Sequence, residues 1–321
     1  MTSTASRGRI AAAFAAIYII WGSTYLAIRF AVETIPPFLM AGTRFVISGA
    51  VLFGITVIAG NPRPTRIHWR NAAIVGAALL LLGNGVLGWA EQFIPSGFAS
   101  IIVAIVPLWM VILDWARPDG HRPSRAVVLG LVLGTIGLIV LLGPAVLAAV
   151  RGEAGSNGGI RFGPAAVLIL SSFAWAAGSL FSRYAELPRS SSQATGMEML
   201  SGGVLLLVAG VLAGEPASLD LARVSSRSLL GLVYLIMFGS FVGFTAYIWL
   251  LKVVPPAKVA THAYVNPVVA VLLGSTLGGE KLSARSVGAA AIIVAAVAVI
   301  TTARAAEKGN IEIHRSEIPE A

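Results

Sequence analysis

The chain contains no cysteine. Disulfides, thiolate nucleophiles and cysteine-ligated metals are therefore excluded. Charge is also scarce: Asp, Glu, Lys and Arg make up 12% of 321 residues, against about 25% in a typical soluble domain. Acids are the scarcer sign, 14 against 23 Lys and Arg. No Gly-x-x-x-x-Gly-Lys-Ser/Thr motif occurs, so the chain has no P-loop of its own. Its four histidines, His68, His121, His262 and His314, show no metal-ligand spacing, and no metal or cofactor is expected. No Ser/His/Asp constellation can be assembled, so an enzyme is not expected either.

What is abundant is apolar surface. Hydrophobic residues make up 57% of the chain and the mean hydropathy is +0.85. A water-soluble globule of this length cannot bury so much. The expected solvent is a lipid bilayer. The net charge of +9 sits in short clusters between apolar runs. That distribution suits membrane topology, not a basic face for nucleic acid, and no nucleic-acid partner is expected.

A spanning helix needs about 20 apolar residues. Ten runs qualify, near 10–32, 37–59, 69–91, 96–116, 124–144, 163–184, 193–214, 228–250, 257–278 and 284–303. The first outlasts a signal-peptide core and reads as an uncleaved helix. The expected divisions are an N-terminal segment (1–9), a five-helix unit (10–144), a loop (145–162), a second five-helix unit (163–303) and a polar tail (304–321). With the N-terminus cytoplasmic, cytoplasmic segments hold fifteen Lys and Arg and outer segments six, with Arg29 and Arg44 inside runs. The excess places both termini in the cytoplasm of a multi-pass protein of the cytoplasmic membrane.

The halves repeat. Trp21 and Arg29 in WGSTYLAIR match Trp175 and Arg183 in WAAGSLFSR at an offset of 154. The same offset pairs Gly42, Arg44, Ser48 and Gly49 with Gly196, Glu198, Gly202 and Gly203. An offset of 160 pairs Trp89, Pro95 and Pro107 with Trp249, Pro255 and Pro267. A unit of five helices inserted twice must be inverted the second time, the architecture of many secondary transporters. The expected fold is all-α, ten transmembrane helices in two inverted five-helix repeats around a central cavity.

The stretches IWGSTYLAIRFAVETIPPFLMAGTRF, GWAEQFIPSGFASIIVAIVPLW and GGEKLSARSVGA resemble EamA-type proteins of the drug/metabolite transporter superfamily. The resemblance implies a cavity lined by the third, fourth, eighth and ninth helices with help from the first and sixth. It also implies export of amino acids or similar small metabolites. The alternative on the same fold is a drug or nucleotide-sugar carrier. A channel or a membrane-embedded enzyme would need a polar ring or site at one depth, and none is legible.

Candidate cavity residues are Trp21, Asn84, Trp109, Trp175, His262, Tyr264 and Asn266. The tryptophans offer apolar walls with one donor each. A free imidazole changes charge near neutral pH, which makes His262 the candidate for proton coupling. Pro107 and Pro267 are expected to kink their helices beside the cavity. Ionisable residues within spans are costly and usually functional. Arg29, Glu33, Arg44 and Glu91 fall toward the outer side and Asp114, Arg183 and Glu198 toward the inner side, as candidate gates. Gly-x-x-x-Gly pairs such as Gly130/Gly134 serve internal packing or a seam, leaving monomer and homodimer open.

Overall fold

The computed structural model describes residues 6–116, 123–150, 162–254 and 262–279, with Val259 and parts of 283–302. Side chains at 131, 138, 141–150, 263 and 264 lie outside the described set. The expected tail and most of the expected 145–162 loop also fall outside it. The long helices are α1 (Arg7–Ala31), α2 (Pro37–Ile58), α3 (Arg66–Ala90), α4 (Ser96–Trp115), α5 (Arg125–Val150), α6 (Phe162–Tyr184), α7 (Ser191–Leu212), α8 (Ser226–Val253), α9 (His262–Thr276) and α10 (Val287–Ala296). Among the described residues, α1–α4 and α6–α8 are long and apolar enough to cross a membrane. The remaining three are the shorter or partly described apolar helices. Many large apolar side chains face outward, among them Ile58, Leu170 and Leu212, as lipid contact requires.

Contacts between chain ends show how the helices alternate. At the end carrying the start of α1, Gln193 donates to the carbonyl of Pro62 at 3.0 Å and Asn71 to that of Glu186 at 2.9 Å. At the opposite end Ser228 donates to the Phe30 carbonyl at 2.7 Å. There the Glu215 carboxylate also caps α2, accepting from the amides of Phe38 (3.1 Å) and Leu39 (2.8 Å). A helix N-terminus leaves such amides orphaned and favours negative charge.

The glycines of α2 and α7 reveal a two-fold relation. A Cβ on Gly49 would stand 2.5 Å from the amide nitrogen of Leu200, and one on Gly203 would stand 2.7 Å from that of Val46. Gly42 approaches the amide of Leu207 in the same way (2.9 Å), and Gly196 that of Phe53 (2.8 Å). Each contact maps onto its partner when the numbers are shifted by 154. Missing side chains let the two backbones touch where they cross, as small residues do in membrane interfaces.

Among the described residues, three helices contain π-helical stretches: Ala16–Ile20 in α1, Ala77–Gly85 in α3 and Leu235–Phe244 in α8. The α3 and α8 stretches are repeat-equivalent. Such segments are rare and gather at functional sites. The expected proline kinks differ between the halves. Helix α4 breaks between Val103 and Val106, just ahead of Pro107, whereas α9 continues through Pro267.

Candidate functional site: the central cavity

A cavity opens where the two halves meet. Its wall includes Trp21, Thr24, Tyr25 and Ile28 of α1, Arg44 of α2, Gly83, Asn84 and Leu87 of α3, and Ser100, Val103 and Val106 of α4. The second half adds Ser171, Ser172 and Trp175 of α6, Phe244 of α8, and His262, Asn266 and Pro267 of α9. Its volume is about 70 Å³, room for a handful of waters. A larger solute requires the helices to part.

An aromatic group forms the wall nearest the start of α1. Trp21 lies edge-on to Trp175, with ring centroids 5.9 Å apart, and edge-on to His262 at 5.4 Å. Tyr247 touches all three, at 4.9 Å from Trp21, 5.9 Å from Trp175 and 5.7 Å from His262. Its hydroxyl shares a 2.9 Å hydrogen bond with Ser179. His262 Nδ1 lies 3.0 Å from the Val259 carbonyl. A carbonyl only accepts, so Nδ1 carries a proton there and the neutral ring keeps Nε2 as an acceptor. With its amide nitrogen assigned toward α1, Asn266 donates to the carbonyls of His262, Tyr18 and Ile17 at 3.1–3.3 Å.

The two tryptophans occupy reciprocal seats. A Cβ on Gly83 would stand 2.7 Å from Trp175 Cε3, and one on Gly243 would stand 2.7 Å from Trp21 Cδ1. Each tryptophan of one half thus rests on a glycine of the other half, inside a π-helical stretch. The Trp21 indole donates to the Gly239 carbonyl at 3.2 Å. The equivalent carbonyl, that of Leu79, is taken by the Asn84 side chain at 3.3 Å. The seats match in shape and differ in hydrogen bonding.

Of the sequence candidates, Trp21, Asn84, Trp175, His262, Asn266, Pro267 and Arg44 border the cavity. Trp109 does not. It packs edge-on against Phe173 of α6, with ring centroids 5.4 Å apart. Pro107 is buried beyond the wall, and the Tyr264 side chain is outside the described residues. Arg29 donates to the backbone carbonyl of Glu91. Glu33 pairs with Arg227 at 3.4 Å. Glu91 is fully buried beside Tyr25. At the other end Arg183 is exposed and lies over Tyr184, Asp114 is half-buried, and Glu198 is fully buried with Ser182 and Lys252 as polar neighbours. Sequence reasoning missed Arg227, Tyr247 and the seat glycine Gly83, and read Gly243 only as half of a Gly-x-x-x-Gly packing pair with Gly239. The glycines share the 160-residue offset of the Trp89/Trp249 pair and were detectable by it.

A model of the EamA-like transporter family matches this chain twice, over residues 8–143 and 163–302. The chain belongs to that family. The family's two-unit build is the one seen in the helix packing. This EamA-like protein is 39% identical over 287 residues to the uncharacterized inner membrane transporter YedA of Escherichia coli K12, covering 89% of this chain and 88% of the relative. It is 25% identical to a probable amino-acid metabolite efflux pump of Salmonella typhimurium LT2, over 83% of this chain and 88% of the relative. A solved crystal structure shares the fold with a TM-score of 0.63 and 21% identity, covering 92% of this chain and 98% of its own. The protein is therefore a membrane-embedded, multi-pass transporter.

Proposed function

We propose that this transporter is a secondary carrier that exports amino acids or similar small organic metabolites across the cytoplasmic membrane by alternating access, with both termini cytoplasmic. The reciprocal tryptophan seats carry the reading. In an inverted repeat, the second access state arises when the halves exchange conformations. Trp21 on Gly243 would then adopt the bonding of Trp175 on Gly83, with the Trp175 indole taking the Leu79 carbonyl from Asn84. The π-helical stretches beneath both seats supply irregular, bendable backbone. The name of the Salmonella relative supports metabolite export, that of YedA supports the inner membrane, and the Lys and Arg asymmetry supports the orientation.

On this reading the contacts of Arg29 and Glu33 close one end, and Glu198 with Ser182 and Lys252 closes the other. His262 is the wall group that would couple protons. Reconstituted protein should show counterflow: liposomes preloaded with an unlabelled amino acid should accumulate the labelled one faster than empty ones. Uptake indifferent to preloading across an amino-acid panel would overturn the carrier reading. Abolishing a pH gradient tests the proton.

A further inference from the structure

Arg44 is a buried cation with no acid paired to it among the described residues. It is 4% exposed, and a guanidinium stays charged at any physiological pH. None of the ion pairs among the described residues involves it. Its Nε donates to Ser240 Oγ at 2.7 Å, one of five N–H donors. Its guanidinium carbon stands 4.5 Å from the Phe45 ring centroid. No nitrogen of Arg44 is sealed away without a partner, and the residue borders the cavity. Room for it is built in: a Cβ on Gly239 would fall 2.8 Å from Arg44 Nη2.

An unpaired buried charge carries a desolvation penalty, which an anion entering the cavity would offset. We propose that Arg44 is the anion-binding residue of the cavity and that the transported solute carries a carboxylate. The assignment rests on the carrier reading above and narrows its substrate class. Arg44 is the one formally charged side chain among the described residues of the wall. A single positive charge matches a carboxylate, whereas a phosphate dianion would leave a second charge unpaired. Among the described residues no acid borders the cavity to hold a cationic drug; Glu91 acts on Tyr25 from outside the wall. The neutral hydroxyls and amides nearby, Ser100 and Asn84 among them, can bond the rest of a polar solute.

The test measures thermal stabilisation of purified wild-type protein by neutral L-amino acids and simple monocarboxylates. Each is set beside its amide, with glycerol phosphate and tetraethylammonium as other charge classes. Carboxylates should stabilise at concentrations about tenfold to a hundredfold lower than their amides, the range set by a charge-assisted hydrogen bond. Equal action of acids and amides, action confined to the phosphate or the ammonium, or no carboxylate effect would overturn the assignment. Arg44→Gln should remove the preference for acid over amide, and Arg44→Lys should restore part of it. Counterflow run in parallel separates the two claims. Counterflow of amides or cations with no carboxylate preference sinks the Arg44 assignment and leaves the carrier standing.

Discussion

Arg44 and Glu198 occupy equivalent positions in α2 and α7, yet one borders the cavity and the other is enclosed near the opposite end beside Lys252 and Ser182. Asn84 in α3 has Phe244 as its counterpart in α8, and both line the wall. Helix α4 breaks before Pro107 while α9 runs through Pro267. The glycine contacts between α2 and α7, by contrast, are the same in both directions to within about 0.2 Å. The halves thus keep a common backbone scaffold and diverge in polar contents. A scaffold that exchanges conformations between halves needs matching backbone contacts. A solute with one charged end needs a cavity with one charged wall.

The largest expected effect follows from the shared part. Gly49→Val and Gly203→Val each drive a side chain into facing backbone. Overpacking costs about 1–3 kcal/mol where side chains can yield, and backbone yields less. Both variants should lose monodisperse protein on size exclusion, while Gly54→Val, with open space around it, should not. If one of the two glycine variants behaved normally, the two-fold equivalence would be broken.

Next come the tryptophan seats. Gly83→Ala and Gly243→Ala each crowd one seat, against Trp175 and Trp21 respectively. With related seats on an inverted scaffold, the two should bias access in opposite directions. The chain has no native cysteine, so single reporters near each end can be read by impermeant thiol reagents. Shifts of the same sign in both variants would argue against exchange between the halves. A smaller contrast separates the charged counterparts. Glu198→Gln should leave the ratio of carboxylate to amide stabilisation unchanged, while Arg44→Gln abolishes it.

Most of the scaffold was legible in the sequence because lipid leaves few options. Apolar runs of spanning length must be helices, and for α1–α4 and α6–α8 the observed ends fall within about three residues of the expected ones. The repeat was visible through Trp21/Trp175 and Gly49/Gly203, since packing constraints recur wherever the scaffold recurs. The site was less legible. Depth along a helix can be counted from sequence, but facing cannot be settled when a π-helical stretch shifts the phase of everything beyond it. Arg44, on a helix without such a stretch, was read by depth alone, as a residue of the end and not of the wall. Trp109 was read with the cavity tryptophans for its indole, but it packs against Phe173 instead. Glu33 could not be assigned a partner, because Arg227 lies nearly two hundred residues away.

Two contacts at the Glu215 end bring the smallest effects. Glu215 caps α2 from outside its own half, accepting two amides with a nearly buried carboxylate. Glu215→Ala should cost about 1 kcal/mol, as a lost cap does, seen as a lower melting midpoint in detergent. The Glu33–Arg227 pair should matter less to stability. Its side chains are 36% and 50% exposed, and exposed pairs contribute about 0–1 kcal/mol. Arg227 also stacks 3.6 Å over the Phe30 ring, a contact that needs no carboxylate and is worth about 0.5–1 kcal/mol at an exposed site. Arg227→Gln should therefore lower the midpoint more than Glu33→Gln. Raising the salt should erase the effect of Glu33→Gln while leaving most of that of Arg227→Gln. Equal losses at both residues, both erased by salt, would show that the ion pair and not the ring holds Arg227 across the seam.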